Sequence, residues 1–436
     1  MTRKTLETTL VSVTTRVGEM DPSAVVFGLR RAREPWFCWE QPDAGFALAT
    51  LGSVCQVVSR GPERFRDVAA EIAARAGQGS EGVPGAGPVW VGGFAFDSHG
   101  ATEPHWSSCP PALMTLPEIA ILRVGAETFL TVNGRGEGAI ERSHARIDGR
   151  GWSLPLLDPA PSGRFAIGST RSPEQFERAV AVAVERIERG ELEKAVLARE
   201  VVVEAPAAYD PAALFGALRE LFPSCYCFCC GTPEAAFLGA SPELLARRRG
   251  ASAATVALAG SARRSADPAV DDHLGEQLLR SSKERSEHEI VARRIERSLR
   301  PHAVWVERAA EPELIRVANV QHLATPIHAQ LAEPRSAVEL AGLLHPTPAV
   351  GGEPADLAAA TIAELEELDR GWYAGPVGWM DATEDGEFCV ALRSALLRDR
   401  TARLYAGAGI VAGSDPAAEL AETEVKLEAL LPLVTG

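Results

Sequence analysis

The last quarter of the chain contains three segments rich in β-forming residues, separated only by short turns. They cover Trp372–Asp381, Glu387–Leu397 and Arg403–Val411. Strands that follow one another through short turns pair antiparallel. Helical patterns lie before and after this block, so helices and strands are mixed along the chain. This order predicts an α+β fold with a large, mainly antiparallel sheet, in preference to a doubly wound parallel sheet.

Helix-initiating residues are clearest after position 165. Ser172 can cap a helix whose first residue is Pro173 and whose third residue is Gln175. Apolar residues then recur at helical spacing up to Ile187, and Gly190 ends the pattern. The other predicted elements are strands at Lys194–Glu204 and Ala235–Leu238, a long helix at Leu278–Leu299, and a final helix from Asp415 to about Leu431.

The first 165 residues give weaker signals. Short apolar runs alternate with clusters of Gly and Pro, such as residues 77–85. Trp90–Asp97 is predicted to be a strand in which glycines allow a close backbone approach. Asp158–Gly163 has the composition of a connector. No repeat of 20–50 residues is present in the sequence, which excludes solenoids and propellers.

The composition excludes several classes of function. Acidic residues outnumber basic ones by 59 to 44, a formal net charge of −15, and no basic patch stands out. Nucleic acid is therefore not an expected partner. The sequence has no run of about 18 apolar residues and no apolar segment of a secretory signal near its start, so we expect a cytoplasmic protein without a membrane partner. It also lacks the glycine-rich motifs of dinucleotide and P-loop sites.

Eight cysteines are present, and four of them lie within Cys225–Cys230. In an extended strand, Cys225, Cys227 and Cys229 would share one face and pack as small apolar side chains. Disulfides are uncommon in a reducing compartment. We therefore expect free thiols.

Carboxylates occur in suggestive positions on two predicted helices. Glu419, Glu422 and Lys426 are spaced so that they share one helical face. Glu287 lies on an apolar face of the long helix, where burial of its charge requires compensation. A shared Mg²⁺ would provide that compensation, because Mg²⁺ prefers oxygen ligands. Ion pairs are the alternative, with Lys426 for Glu422 and with nearby arginines for Glu287.

Three further positions combine reactive groups with a defined local structure. Lys194 opens a predicted strand, where it is either a base or a strand-end lysine that extends to solvent. Glu243 follows a Ser-Pro step, as an oriented acid or as a helix-start carboxylate. Gly407 and Gly409 offer backbone amides to an anion, and Arg393 offers a carboxylate clamp. Tight strand packing and a structural ion pair are the respective alternatives.

Nine ordered segments resemble the chorismate-utilising enzymes, a family that comprises isochorismate synthases, salicylate synthases and the large subunits of anthranilate and aminodeoxychorismate synthases. The segments are LEKAVLAREV (192–201), FLGASPELL (237–245), LAGSARR (258–264), KERSEHEIV (283–291), QHLATPI (321–327), LHPTPAVGG (344–352), DRGWYAGPVGW (369–379), VALRSALL (390–397) and YAGAGIVAGSDPAAELAETEVKL (405–427). The resemblance implies one chorismate-binding domain over residues 1–436. It would be a β-sheet sandwich flanked by helices, with a variable N-terminal half (1–165) and a catalytic segment (166–436).

The resemblance also implies roles for the candidate residues. Lys194 would deprotonate a water that adds at C2 of chorismate, and Glu243 would protonate the departing C4 hydroxyl. The implied Mg²⁺ ligands are Glu287 and Glu422, with Glu419 close by. The residues implied to bind the substrate are Gly260, Ser261, His322, Ala349, Arg393, Tyr405, Gly407, Gly409 and Lys426.

Within the family, the segments around Gly260 and Ala349 most resemble those of isochorismate synthases. Ala349 stands where salicylate synthases are expected to carry threonine. The resemblance therefore implies a Mg²⁺-dependent isochorismate synthase for menaquinone or siderophore/salicylate biosynthesis, acting on chorismate as a monomer without a glutaminase subunit. The alternatives are a salicylate synthase that releases pyruvate, an anthranilate-type synthase component, and a non-catalytic binding homologue.

Overall fold

The computed structural model describes residues 10–75, 82–136, 138–147, 153–154 and 158–436. The strands of this part of the chain are β1 (Leu10–Val17), β2 (Trp36–Gln41), β3 (Phe46–Leu51), β4 (Cys55–Ser59), β5 (Val89–Phe94), β6 (Ala112–Leu116), β7 (Ile119–Val124), β8 (Glu127–Arg135), β9 (Ala166–Ser169), β10 (Lys194–Glu204), β11 (Tyr226–Gly231), β12 (Ala236–Ser241), β13 (Leu244–Arg249), β14 (Ser252–Arg263), β15 (Ala303–Arg308), β16 (Glu313–Arg316), β17 (Val320–Leu331), β18 (Gly352–Glu353), β19 (Pro376–Asp381), β20 (Gly386–Val390), β21 (Ser394–Arg398) and β22 (Thr401–Ile410).

The helices of the same part are α1 (Pro22–Leu29), α2 (Arg64–Ala73), α3 (Ala139–Ile147), α4 (Pro173–Glu188), α5 (Pro211–Leu221), α6 (Pro268–Arg280), α7 (Ser282–Leu299), α8 (Ala337–Leu344), α9 (Ala355–Glu366), α10 (Pro416–Leu427) and α11 (Leu431–Thr435). Within the described ranges, none of them is both long and apolar enough to span a lipid bilayer.

The described strands form two large antiparallel sheets. The first has the order β1-β8-β7-β3-β2-β11-β12-β21-β22-β10-β18, with β9 also paired to β10. The second has the order β15-β17-β14-β13-β20-β19-β5-β6-β4, with β16 also paired to β17. Strands of the first 165 residues pair with later strands inside each sheet, where β2 pairs with β11 and β5 pairs with β19. The expected α+β class with mainly antiparallel sheets is confirmed.

Apolar side chains fill the space between the two sheets. Trp39 and Phe228 of the first sheet belong to the same buried core as Trp379 and Phe388 of the second. A second core lies on the opposite face of the first sheet and includes residues of α1 and α5. Cys225, Cys227 and Cys229 are buried in this second core as free thiols, as predicted.

The helix predicted after Ser172 is present as α4. The Ser172 hydroxyl accepts a hydrogen bond from the Gln175 N–H, and the Gln175 side chain accepts one from the Ser172 N–H. This reciprocal cap satisfies two backbone donors that a helix start would otherwise leave unpaired.

The helix predicted at Leu278–Leu299 is wrong as a single element. Ser281 is extended, with φ −67° and ψ 117°, and separates α6 from α7. Its hydroxyl accepts a hydrogen bond from the Glu284 N–H and so caps the second helix. The break sets the position at which α7 starts, and therefore the direction of the carboxylates on it.

Other predicted bounds also need correction. The segment Glu387–Leu397 is two strands in different sheets, because the chain turns at Ala391–Arg393 between β20 and β21. Trp372 precedes its strand, which begins at Pro376. The final helix ends at Leu427, where Glu428 forms its C-cap, and the short α11 follows. Most of the predicted Gly/Pro cluster at 77–85 lies outside the described residues.

Candidate active site

A cavity of about 80 Å³ is enclosed by strands of both sheets, by α7 and α10, and by the loop before β18. It is lined by Val196, Pro242, Glu243, Leu258, Ala259, Gly260, Ser261, Glu287, His322, Ala349, Val350, Tyr373, Leu392, Arg393, Tyr405, Ala406, Gly407, Gly409, Glu422 and Lys426. The structure therefore brings together in one wall every predicted site residue except Lys194 and Glu419.

Lys194 lies behind this wall. It is the first residue of β10 and is 0% exposed, so it does not extend to solvent. Its Nζ lies 2.8 Å from Glu287 Oε1, but no acceptor lies in a hydrogen-bonding direction from it. A side chain at Gly409 would place its Cβ 2.2 Å from Glu287 Oε1 and 3.1 Å from Lys194 Cε. Glycine at 409 thus leaves room for the buried lysine–glutamate pair.

Glu243 is a buried acid at the turn between β12 and β13. The Ser241 hydroxyl accepts a hydrogen bond from the Glu243 N–H and donates one to the Val390 carbonyl, which fixes the turn. Burial raises the pKa of Glu243 to about 8, and the charge of Lys194 only partly opposes this shift. Glu243 is therefore largely protonated at neutral pH and can donate a proton.

Four glutamates from two helices converge on one side of the cavity: Glu284 and Glu287 on α7, and Glu419 and Glu422 on α10. Glu284 was not among the predicted ligands. Burial, and then the charges of Glu287 and Glu422, raise the pKa of Glu284 to about 7. The Ser261 N–H and hydroxyl connect the two helices, because they donate to Glu284 Oε2 (3.3 Å) and Glu422 Oε1 (2.9 Å).

Three lysines face these glutamates. Besides the Lys194 pair, Lys283 Nζ lies 2.9 Å from Glu419 Oε1, and Lys426 Nζ lies 2.7 Å from Glu422 Oε1. Only four of the 44 basic residues in the sequence are lysines, at positions 4, 194, 283 and 426. The three within the described part of the chain all contact this cluster. Lys283 was missed at the sequence level, although the scarcity of lysine was a usable signal.

The glutamate cluster has the donor chemistry that a hard divalent cation requires, since its oxygens are carboxylates. The four glutamates outnumber the three lysines that face them, and a bound cation would offset negative charge on the cluster. Within the described ranges, however, no three His, Cys, Asp or Glu side chains already converge as a ligand set. Glu287, Glu419 and Glu422 instead contact lysines. The cluster therefore fits Mg²⁺ by composition, and binding would require some of these carboxylates to reorient.

Arg393 is held in an unusual conformation at the turn between the two sheets. Its φ is +47°, in the left-handed region that non-glycine residues seldom adopt. Its Nη2 lies 2.8 Å from His322 Nε2, while its buried Nη1 has no partner. Burial, followed by the charges of Arg393 and Lys426, holds the pKa of His322 well below its usual range. A neutral His322 thus accepts from Arg393 and leaves Nη1 available for a carboxylate in the cavity.

The remaining wall residues are held by backbone contacts and ring stacking. Gly260 has φ +77° at a β-bulge in β14, and Lys426 donates to the Gly407 carbonyl at 2.8 Å. Tyr405 stacks on Tyr373 with 5.1 Å between ring centroids. Tyr373 was not predicted as a site residue, although it lies in the DRGWYAGPVGW segment. Burial raises the pKa of Tyr373 to about 12, so it stays a neutral hydroxyl.

Helix α7 is attached to the second sheet by a buried histidine. His288 Nδ1 lies 3.3 Å from the Ala259 carbonyl, and His288 Nε2 lies 2.7 Å from Thr325 Oγ1. A carbonyl only accepts, so Nδ1 donates to it. Burial lowers the pKa of His288 and favours the neutral ring, whose Nε2 then accepts from the Thr325 hydroxyl. This contact fixes the rotation of the helix that carries Glu287.

A protonated carboxylic acid, a buried amine, an arginine with an open donor and a cation-compatible carboxylate cluster meet around one cavity. These are the kinds of group that acid–base chemistry on a small anionic molecule requires.

Comparison with known proteins identifies the family. The model of the chorismate binding enzyme family matches residues 1–435. The salicylate biosynthesis isochorismate synthase of Pseudomonas aeruginosa is 36% identical over 433 residues, which cover 97% of this chain and 89% of that protein. Isochorismate synthase MenF of Bacillus subtilis is 32% identical over 447 residues, with coverages of 98% and 94%.

A solved structure agrees with these sequence matches. The menaquinone-specific isochorismate synthase MenF of Escherichia coli matches this fold with a TM-score of 0.82 at 28% identity, covering 98% of this chain and 95% of that one. The chain belongs to the family of chorismate-binding enzymes.

Proposed function

We propose that this protein is an isochorismate synthase, which converts chorismate to isochorismate. The observation that carries the proposal is the cavity at which a buried acid, Glu243, is held protonated near neutral pH while a buried amine, Lys194, stands behind the wall. The isochorismate synthases that match nearly the whole chain support the same activity.

The proposed chemistry needs one base and one acid. Lys194, in its neutral form, takes a proton from the water that attacks C2 of the ring. Glu243 donates its proton to the C4 hydroxyl, which leaves as water while the ring double bonds shift. One water enters and one leaves, so the product is an isomer of the substrate. A raised carboxyl pKa suits this role, because the acid must carry its proton at working pH.

The cavity also offers groups for both carboxylates of chorismate. We assign the enolpyruvyl carboxylate to the open Nη1 of Arg393, with the backbone at Gly407 and Gly409 beside it. Mg²⁺ held by Glu287 and Glu422, with Glu419 close by, would supply the positive charge that the ring carboxylate requires. The net charge of −15 opposes dianion binding, so these local groups must overcome it.

We further propose that the product enters menaquinone or siderophore/salicylate biosynthesis in the cytoplasm. Relatives named for menaquinone and for salicylate both match the chain. The proposed enzyme acts as a monomer and needs no glutaminase, since water rather than ammonia is its nucleophile.

The test is to incubate the purified protein with chorismate and Mg²⁺ and to identify the products by chromatography. We expect isochorismate to form as chorismate disappears, without pyruvate. Pyruvate in amounts equal to the chorismate consumed would identify a salicylate synthase instead. A fluorescent product that depends on added ammonia would identify an anthranilate-type enzyme. No conversion of chorismate at all would reject the enzymatic proposal.

A further inference from the structure

The strand that carries Lys194 has a gap along one edge. Strand β22 covers the other edge of β10 from Ala195 to Glu204. On the gapped edge, β18 pairs with residues 194–195 and β9 pairs with residues 201–204. Between these two, no strand of the described chain pairs with the backbone at 196–200. A buried strand edge needs other partners for such groups, because unpaired backbone donors and acceptors are costly.

An ion pair of side chains fills this gap. Glu366, at the end of α9, accepts a hydrogen bond from the Ala198 N–H at its Oε1, 2.7 Å away. Arg370 donates from Nη2 to the Val196 carbonyl at 2.8 Å. The two side chains are joined by a bond from Arg370 Nε to Glu366 Oε2 at 2.9 Å and by a second contact between Nη2 and Oε1. The pair thus presents the acceptor and the donor that a neighbouring strand would present.

The same arginine also holds the loop that closes the cavity. Arg370 Nη1 donates to the Val350 carbonyl at 2.8 Å, and the Val196 N–H donates to the Gly351 carbonyl at 2.7 Å. Val196 and Val350 both line the cavity. One guanidinium therefore fixes two walls of the cavity relative to each other.

Because the pair is buried, its main contribution is to hold neighbouring backbone groups in place rather than to stabilise the fold. Arg370 is 4% exposed and Glu366 is 2% exposed, and the Arg370 guanidinium lies 4.1 Å from the centre of the Phe96 ring. Buried ion pairs are often no more stabilising than apolar residues of similar volume. An apolar pair, however, could not bind Val196, Ala198 and Val350 through their backbone groups.

We propose that Arg370 and Glu366 are positioning residues that set the distance between the Lys194 strand and the Ala349–Val350 loop. This role rests on the proposed function, because it requires Lys194 to be the general base that acts on a substrate in the cavity. Lysine cannot replace the arginine here, since a single ammonium group cannot reach two carbonyls and both carboxylate oxygens in a fixed plane.

The experiment compares Arg370→Lys and Glu366→Gln with a control on α9, the helix that carries Glu366. Glu364→Gln removes the ion pair between the exposed Glu364 and Arg186, neither of which lines the cavity. We expect both test variants to fold, as judged by circular dichroism, and to lose roughly 10- to 100-fold in kcat with little change in KM, because small displacements of reacting groups reduce rate steeply. The control should keep the kcat of the unsubstituted protein.

A double-mutant cycle separates positioning from general damage. If Arg370 acts through the placement of Lys194, Arg370→Lys should have almost no further effect on the residual rate of Lys194→Ala. An equal loss in both backgrounds, or an unchanged kcat in the folded single variants, would overturn the proposal. If Arg370→Lys does not fold, Glu366→Gln decides, and failure of both to fold would assign the pair to stability alone.

The unsubstituted protein is assayed alongside. Its failure to produce isochorismate would reject the proposed function, whereas normal turnover in the wild type and in both test variants would reject only the positioning role.

Discussion

Residues 10–165 and residues 166–436 build the same two sheets, but they contribute very differently to the cavity. The first part supplies β1–β8, which complete both sheets. Among the residues that the structure describes, those that line the cavity all belong to the second part, between Val196 and Lys426. The first part therefore supports the fold, whereas the second part carries the reactive groups.

This division has a physical basis. A core requires apolar volume, and many sequences provide it at similar stability. A site requires particular donors and acceptors at fixed distances, such as Arg393 with its open Nη1 or Glu243 at its turn. Motifs in the second part accordingly predict functional residues, whereas the sequence of the first part predicts only strands and close backbone approaches at glycines.

Removal of divalent cations should have the largest effect on turnover. The glutamate cluster holds four carboxylates against three lysines, so a cation is proposed to complete it. We expect EDTA to abolish isochorismate formation and added Mg²⁺ to restore it. Thermal unfolding with and without EDTA provides the control, because the fold should persist without the ion. Activity that is indifferent to chelation would remove Mg²⁺ from the proposal.

Loss of the proposed base should have the next largest effect. Lys194→Ala should lower kcat by about 10²–10⁴-fold, the usual contribution of a positioned base. The substitution also removes the 2.8 Å contact between Lys194 and Glu287, so binding of Mg²⁺ should be measured in parallel by calorimetry. A rate that is unchanged while the variant binds chorismate normally would reject the assignment of Lys194.

Replacement of the proposed acid should change the pH dependence as well as the rate. Glu243→Gln should lower kcat by roughly 10²-fold. In the unsubstituted protein, kcat/KM should fall as pH rises above about 8, because the protonated Glu243 is then lost. In Glu243→Gln, kcat/KM should not fall in this pH range. If the decrease remains in the variant, another group is responsible for it.

The raised pKa of Glu243 also predicts how the stability of the folded protein changes with pH. The pKa of Glu243 is higher in the folded protein than its ordinary value of 4.5, so its protonated form favours folding. This contribution is present at low pH and is lost as pH rises toward 8. The melting temperature of Glu243→Gln relative to the unsubstituted protein should therefore increase with pH over this range.

Much of the site could be predicted from local patterns. The three- and seven-residue spacing of Glu419, Glu422 and Lys426 places them on one helical face in any α-helix, and the structure has them there. The cap at Ser172 follows equally from adjacent residues. In each case the determining interactions lie within one or two helical turns.

The rest depends on contacts between distant segments. The break at Ser281 and the left-handed Arg393 are local, yet neither has a glycine or proline that would mark it. The position of Lys194 behind Glu287 requires the register of β10 against β22 and the glycine at 409. Short turns indicate which consecutive strands pair, but single-sequence patterns do not show which strands distant in the sequence become neighbours, as β10 and β22 do.

Trp106 of the first part contacts the cavity wall, and its substitution tests whether the first part contributes to substrate binding. Trp106 is fully buried and stacks on Tyr405 of the cavity wall, with 5.9 Å between ring centroids. Its Nε1 donates to the Asp369 carbonyl. Trp106→Phe removes this bond and part of the stacking, so KM for chorismate should rise about 2- to 10-fold, in line with the energy of an aromatic pair. An unchanged KM would show that this contact of the first part with the cavity wall does not contribute to chorismate binding.

The smallest effect on turnover, with a large effect on stability, is expected deep in the first part. Trp39 is 0% exposed and stacks on Phe37 and packs on Tyr226 between the sheets. Trp39→Ala should lower the free energy of unfolding by about 3–5 kcal/mol, as for other buried aromatic truncations. The kcat/KM of the folded fraction should stay the same, because neither Trp39 nor its ring partners Phe37 and Tyr226 line the cavity. Trp305→Ala, at a side chain 47% exposed, serves as the matched control and should alter stability little. A loss of kcat/KM in fully folded Trp39→Ala would show that packing in the first part affects the cavity. The two parts would then not have the separate roles assigned to them.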